Sequence, residues 1–106
     1  MQRSIEWAAG LFDGEGYITK TKDKRCNSYA YRIGIEMSDK DLIDDFYNFW
    51  GFGRRYERDR ANRKHTWIWH VGDRDLVRYV LGKMLPHFGQ RRAYKALNIL
   101  DDLECT

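Results

Sequence analysis

Apolar side chains at Ile5, Ala8, Ala9 and Phe12 recur at helical spacing, and Ser4 stands where an N-cap belongs, so Ser4 to Asp13 reads as a helix. The period then shortens to two. Tyr17 to Lys22 and Tyr29 to Met37 read as strands joined by a polar turn from Asp23 to Ser28. A second helix follows, capped by Ser38 or Asp39, with Leu42, Ile43, Phe46 and Phe49 or Trp50 as its apolar stripe and Gly51 as its stop. Arg54 to Arg58 and Thr66 to Val71 are strands flanking a basic turn. Asp73 caps a third helix through Leu76, Val77, Val80 and Leu81 that ends before Pro86, and a last helix runs from about Gln90 to Leu103. The order predicts an α+β fold, αββαββα plus a C-terminal helix, with an antiparallel sheet covered by helices on one face.

Strand parity sorts side chains onto the two faces of that sheet. Tyr31, Ile33, Ile35 and Met37 share the helix-covered side, which leaves Arg32, Gly34 and Glu36 on the other. Trp67, Trp69 and Val71 take the apolar side, so Thr66, Ile68 and His70 are expected to be exposed. With Ile18 inward, Thr19 and Thr21 point outward. The third strand reads either way; the longer basic reach favours Arg54, Tyr56 and Arg58 outward. The tryptophans are read as core residues.

Charge sharpens this picture. The net charge of the 106 residues is only +3, but Arg54–Lys64 holds six basic residues against two acidic ones, and Lys20–Arg32 five against one. Two basic segments on a sheet with an open face suggest a polyanion partner, and a ribbon bearing Arg, Thr, Tyr and His fits the major groove of DNA. One domain covering residues 1–106 is expected at this length. No apolar run is long enough for a membrane span, and the first residues lack the apolar core of a signal peptide. Cys26 and Cys105 have no metal-ligand spacing, which points to an intracellular, reducing setting. His65, His70 and His87 form no metal or triad pattern and are read as surface or strand residues.

The first helix ends in the chemistry-bearing segment, Ala8-Ala9-Gly10-Leu11-Phe12-Asp13-Gly14-Glu15-Gly16. Gly10 and Gly14, four apart, share a helix face and permit close approach of a second backbone. The carboxylates lie where the negative end of the helix dipole favours a cation. This stretch resembles the LAGLIDADG motif, with Ala9-Gly10, Asp13, Gly14, Glu15 and Gly16 in its defining positions. The helix-and-hairpin order is similar to that of single-motif LAGLIDADG homing endonucleases over essentially the whole chain. Trp7, Trp67, Trp69 and Gly89-Gln90-Arg91-Arg92-Ala93 also resemble compact members encoded by phages or introns.

The resemblance implies a sequence-specific endonuclease acting on a double-stranded, pseudo-palindromic DNA target. It implies a homodimer joined through Ala9, Gly10, Asp13 and Gly14, with Asp13 structural at the helix end. Glu15, where most members have Asp, would supply hard oxygen ligands to Mg²⁺ or Mn²⁺ beside the Gly14 carbonyl, for hydrolysis leaving short 3′ overhangs. Asp39 is a water-positioning group or a helix cap. Arg91, with Arg92 as the alternative, would stabilise charge at the scissile phosphate. DNA contacts are expected from Thr19, Thr21, Arg32, Glu36, Arg54, Tyr56, Arg58, Lys64, Thr66 and His70. The rival reading is a catalytically inactive nucleic-acid-binding module, a maturase or regulator, on the same fold.

Overall fold

The computed structural model describes residues 3–23, 28–59 and 61–104, with the side chains at 21–23, 28–29 and 104 set aside. Ser4 opens α1 (Ile5–Glu15) by accepting a hydrogen bond from the Trp7 N–H, as N-cap hydroxyls do. The chain passes directly into β1 (Gly16–Asp23) and returns along β2 (Ser28–Met37). α2 (Lys40–Trp50) is capped by the Asp39 carboxylate and closed by Gly51 in the left-handed conformation. β3 (Arg54–Arg58) and β4 (Thr66–Val71) have the bounds their sequence pattern predicts. α3 (Arg74–Met84) gives way at Pro86 to a short 3-10 turn, Leu85–His87, before α4 (Gln90–Glu104). Cys26, Cys105 and most of the first hairpin turn lie outside the described residues.

The four strands are antiparallel in the order β1-β2-β4-β3. Helices pack on one face. Ile33 and Ile35 of β2 lie opposite Val71 and Trp69 of β4, and all four are buried against Ala8, Ala9, Phe12, Ile43, Phe46, Val80 and Leu81. Phe46 meets Trp69 edge-on at 4.8 Å between ring centres, a favoured aromatic geometry. The Trp69 indole N–H donates to the Phe52 carbonyl at 2.9 Å, so burying this side chain leaves no orphaned donor.

The other sheet face departs from expectation at its centre. Ile68 and His70 are on the open side as parity requires, yet Ile68 is wholly buried and His70 only 8% exposed. The reason is topological. β4 is an interior strand, so its side chains are walled in by neighbours on β2 and β3; the Tyr56 ring stands 5.2 Å from His70. Gly34 is part of the same close packing. A Cβ there would meet the Trp69 carbonyl oxygen and come within 2.8 Å of both the His70 Cβ and the Tyr17 phenol oxygen.

Backbone cannot yield cheaply to such a clash, so Gly34→Ala should destabilise the fold by about 1–3 kcal/mol in urea titrations. Gly72→Ala, whose new methyl would meet only the Arg32 Nε at 3.9 Å, is the matched substitution and should stay within about 0.5 kcal/mol. Equal effects from the two would show that the close contact at Gly34 is not real.

Candidate functional site: a helix end beside an open basic sheet

The site begins where α1 becomes β1. Gly16 accepts no side chain: a Cβ would press on the Phe12 carbonyl and come within 2.7 Å of the Phe12 ring. This turn leaves Asp13, Gly14 and Glu15 exposed on the last turn of the helix. The two acids are treated differently. Asp13 accepts a hydrogen bond from the Gly89 N–H at 3.1 Å and faces the Arg92 guanidinium at 3.7 Å. Glu15 has no side-chain partner among the described residues.

Arg92 serves the helix end. Its guanidinium donates to the Asp13 and Gly16 carbonyls at 3.3 and 3.2 Å and lies 5.2 Å from the centre of the Phe12 ring. A cation on these terminal carbonyls satisfies acceptors that the helix itself leaves open and offsets the negative dipole end. Arg91, one residue earlier, is exposed on α4. Of the two arginines weighed for charge stabilisation, Arg92 is thus committed to structure and Arg91 is not.

The structure bears out one of the two roles expected of Asp39 and corrects the place expected of Ala9. Asp39 is a helix cap: its Oδ1 accepts from the Asp41 and Leu42 N–H groups at 3.0 and 3.3 Å. Ala9 has no exposed surface with which to meet a partner, because it belongs to the same buried stripe as Phe12. Gly10 and Gly14 are the small residues on the outward face of α1, and nothing lies within 4 Å of a Cβ built on either.

The open sheet face carries the remaining candidates. Cross-strand register puts Tyr17 beside Gly34 and Thr19 beside Arg32. It puts Gly34 beside His70 and Glu36 beside Ile68, while Arg54, Tyr56 and Arg58 face His70, Ile68 and Thr66. The outward choice for the third strand therefore holds. Thr21 is in β1 opposite Ala30, but its side chain lies outside the described residues. Glu36 accepts from the Thr66 hydroxyl at 2.7 Å and pairs with Arg58 at 3.5 Å; Arg63 and Lys64 complete the concavity around them. Arg32 and Arg54 flank His70, and neither pairs with a carboxylate among the described residues. Tyr17 also belongs to this face and was missed, although its parity with Thr19 marks it. Burial raises the pKa of its phenol.

A family model described as a LAGLIDADG-like domain matches residues 5–81. The chain belongs to the LAGLIDADG family. Solved structures with this LAGLIDADG fold include the homing endonuclease I-CvuI in complex with the I-CreI target (18% identity, TM-score 0.72), covering 94% of this chain and 65% of that one. The homing endonuclease I-TnaI aligns at 15% identity and TM-score 0.75 over 98% of this chain and 74% of its own. I-GzeII, solved in complex with its DNA target, aligns at 16% identity and TM-score 0.78 over 95% of this chain but 35% of its own. The LAGLIDADG chain described here thus spans less than two thirds of I-CvuI and about a third of I-GzeII. No curated protein matches it in sequence. At these identities the agreement is one of fold.

Within this fold His70 is the group whose protonation folding opposes. Burial lowers its pKa below the ordinary 6.5, and the nearby Arg32, Arg54 and Arg58 guanidiniums lower it further. The unfolded chain therefore binds the extra proton first as pH falls through 6.5, and folding stability should decline there. The lowered carboxylates Asp44 and Asp102 lose their contribution only below 3.8, so the two windows separate. Melting temperatures between about pH 7.5 and 5.5 should fall for wild type and stay flatter for His70→Gln. Identical slopes would show that His70 ionises freely in the folded state.

Proposed function

We propose that this chain is the subunit of a homodimeric, sequence-specific, divalent-metal-dependent endonuclease that cuts double-stranded DNA. One observation supports the reading most: Glu15, a carboxylate with no side-chain partner among the described residues, ends the motif helix at the border of a sheet face where Arg32 and Arg54 pair with no carboxylate among those residues. The sheet would lie in the major groove, with Arg32, Arg54, Arg58 and Lys64 neutralising phosphates or reading base edges. Thr19, Thr21, Glu36, Tyr56 and Thr66 would supply further contacts, and His70 with Tyr17 the floor beneath them. Tight binding would then hold one phosphodiester of each strand at a helix end.

The donors at that end suit a hard cation. Glu15 offers an exposed carboxylate and Gly14 a peptide carbonyl, both oxygen ligands of the kind Mg²⁺ or Mn²⁺ takes. Among the described residues no three His, Cys, Asp or Glu side chains gather in one chain to hold a metal. A complete site would therefore draw ligands from a second copy and from DNA phosphates. A bound divalent cation would supply Lewis-acid and water-activating chemistry for phosphodiester hydrolysis. Glu15 would hold it, Asp13 and Arg92 would fix the helix end that carries Glu15, and Arg91 would offset charge on the phosphate. Short 3′ overhangs and a pseudo-palindromic target follow from two such ends related by a two-fold axis across the minor groove.

The outward face of α1 supports the dimer. Gly10 and Gly14 expose bare backbone, and the half-buried Trp7 and Leu11 each precede one of them by three residues, on the neighbouring turn. Gly10→Leu has open space in the single chain and replaces a poor helix former, worth about 0.5–1 kcal/mol to the helix itself. Monomer stability should hold or rise while light scattering reports loss of the dimer. Unchanged association by the variant would remove α1 from the interface.

Glu15→Gln separates binding from chemistry. The amide keeps the shape but not the charge a hard cation needs, so gel-shift affinity should persist while Mg²⁺-dependent cutting falls by orders of magnitude. Asp13→Asn weakens the contacts to Gly89 and Arg92 and should lower the melting temperature instead. Full cutting by Glu15→Gln would overturn the metal assignment. A wild-type chain that binds a duplex and never cuts it would establish the maturase or regulator reading.

A further inference from the structure

The arginines of the open face are not equivalent. Arg58 is paired with Glu36, whereas Arg32 and Arg54 have no carboxylate among the described residues. They rise from β2 and β3, on either side of the interior strand β4, and bound a concavity of about 380 Å³. Its walls also include Gly53, Gly72 and Asp73. Asp73 spends its Oδ1 on the first-turn N–H groups of α3 at 3.0 and 3.2 Å. The Arg32 Nε is 3.9 Å from where a Gly72 Cβ would stand, so this guanidinium leans over the end of β4. The floor is His70, more than nine-tenths buried, and its Nδ1 has no hydrogen-bond partner.

We propose that this concavity is a guanine-reading subsite, so that each half of the DNA target carries a guanine seated between Arg54 and Arg32. The inference rests on the DNA-binding reading above and names the base it selects. A guanidinium fork matches the O6 and N7 acceptors of guanine, the commonest specific contact in the major groove. Adenine presents a donor at the position of O6 and would leave a fork unmatched. The recess favours a planar base edge over a phosphate, because its floor is an uncharged ring and not a third cation. Burial and the surrounding guanidiniums keep His70 neutral. Attraction in the recess is therefore directional, from two forks, where a diffuse positive cluster would accept any phosphate.

Selection of bound duplexes from a randomised library, with EDTA present to prevent cutting, tests this. The wild-type chain should enrich one sequence family with a guanine at one fixed position of each half-site. Arg54→Lys keeps the charge and loses the fork. It should relax that position, with affinity for the selected duplex falling on the order of tenfold while the slope of log affinity against log salt stays the same. Replacing that guanine by 7-deazaguanine, which pairs normally but lacks N7, should cost wild type a similar factor and cost Arg54→Lys little more. Arg32→Ala should relax the same position. If Arg54→Ala keeps the guanine preference, or weakens all sequences alike and flattens the salt slope by about one, Arg54 does not read the base and the subsite is refuted. A wild-type chain that enriches no sequence refutes the DNA-binding reading along with it, whereas enrichment without a fixed guanine refutes the subsite alone.

Discussion

The close passage of Gly16 over Phe12 governs what the motif helix can offer. Phe12 is a core residue, fully buried and stacked on Phe88, so its position is set by the interior. The chain turns from α1 into β1 without a linker, so tightly over Phe12 that only a glycine fits at residue 16, and the helix terminates at the rim of the sheet. The terminal carbonyls then need a donor, which Arg92 provides from α4. With those groups satisfied and Asp13 held by Gly89, Glu15 is the one acid of the motif left to face outward chemistry. Core packing thus decides which of the two carboxylates is available.

The arginines show how a weak net charge becomes a directed surface. Register sends Arg54 and Arg58 to the open face and Arg55 to the helix side, where it pairs with Asp44 and lies 4.5 Å from the centre of the Tyr47 ring. Lys20 likewise turns from the open face to meet Asp102. Arg55 and Lys20 thus have acidic neighbours that cancel them, whereas Arg32 and Arg54 have none among the described residues. Exposed ion pairs contribute little to stability, so the effect of this sorting is on the field that a partner meets.

Most of the architecture was legible because it depends on local rules. Period, caps and stops located every α-helix and strand to within a residue or two, though not the 3-10 turn at Leu85–His87, and the longer basic reach placed Arg54, Tyr56 and Arg58 outward where parity left the third strand ambiguous. Parity says which way a side chain points and not how deeply it is covered. Ile68 and His70 illustrate the gap, since their burial comes from the strand order β1-β2-β4-β3, in which β4 is interior. Ala9 shows the opposite error. Its place in the Ile5–Phe12 stripe already assigned it to the core, and only the motif's likeness to a dimer contact suggested otherwise. Asp39 was open between two roles that sequence spacing cannot separate, and hydrogen-bond geometry shows the capping one. The Asp13–Arg92 contact joins residues 79 positions apart, beyond the reach of any periodicity argument.

That distant contact gives α4 a significance that its position outside the matched stretch 5–81 does not suggest. At its start α4 holds the motif helix through Arg92, and the Gly89 N–H just before it binds Asp13. At its far end Arg74 and Arg78 of α3 donate to the Leu103 carbonyl, and Tyr31 and Lys20 of the sheet bind Asp102. Between the two ends Ala96, Ile99 and Leu103 are buried in the core. One helix therefore ties the carboxylate-bearing end of α1 to both the third helix and the back of the sheet. A catalytic group and a recognition surface work together only if their separation is constant to a fraction of an ångström. Because α1 and the sheet meet at a linker-free turn and are cross-braced by α4, a duplex docked on the sheet as proposed would also set the position of Glu15. Under the proposed reading, recognition and positioning would then be a single event, carried by the bracing of the fold.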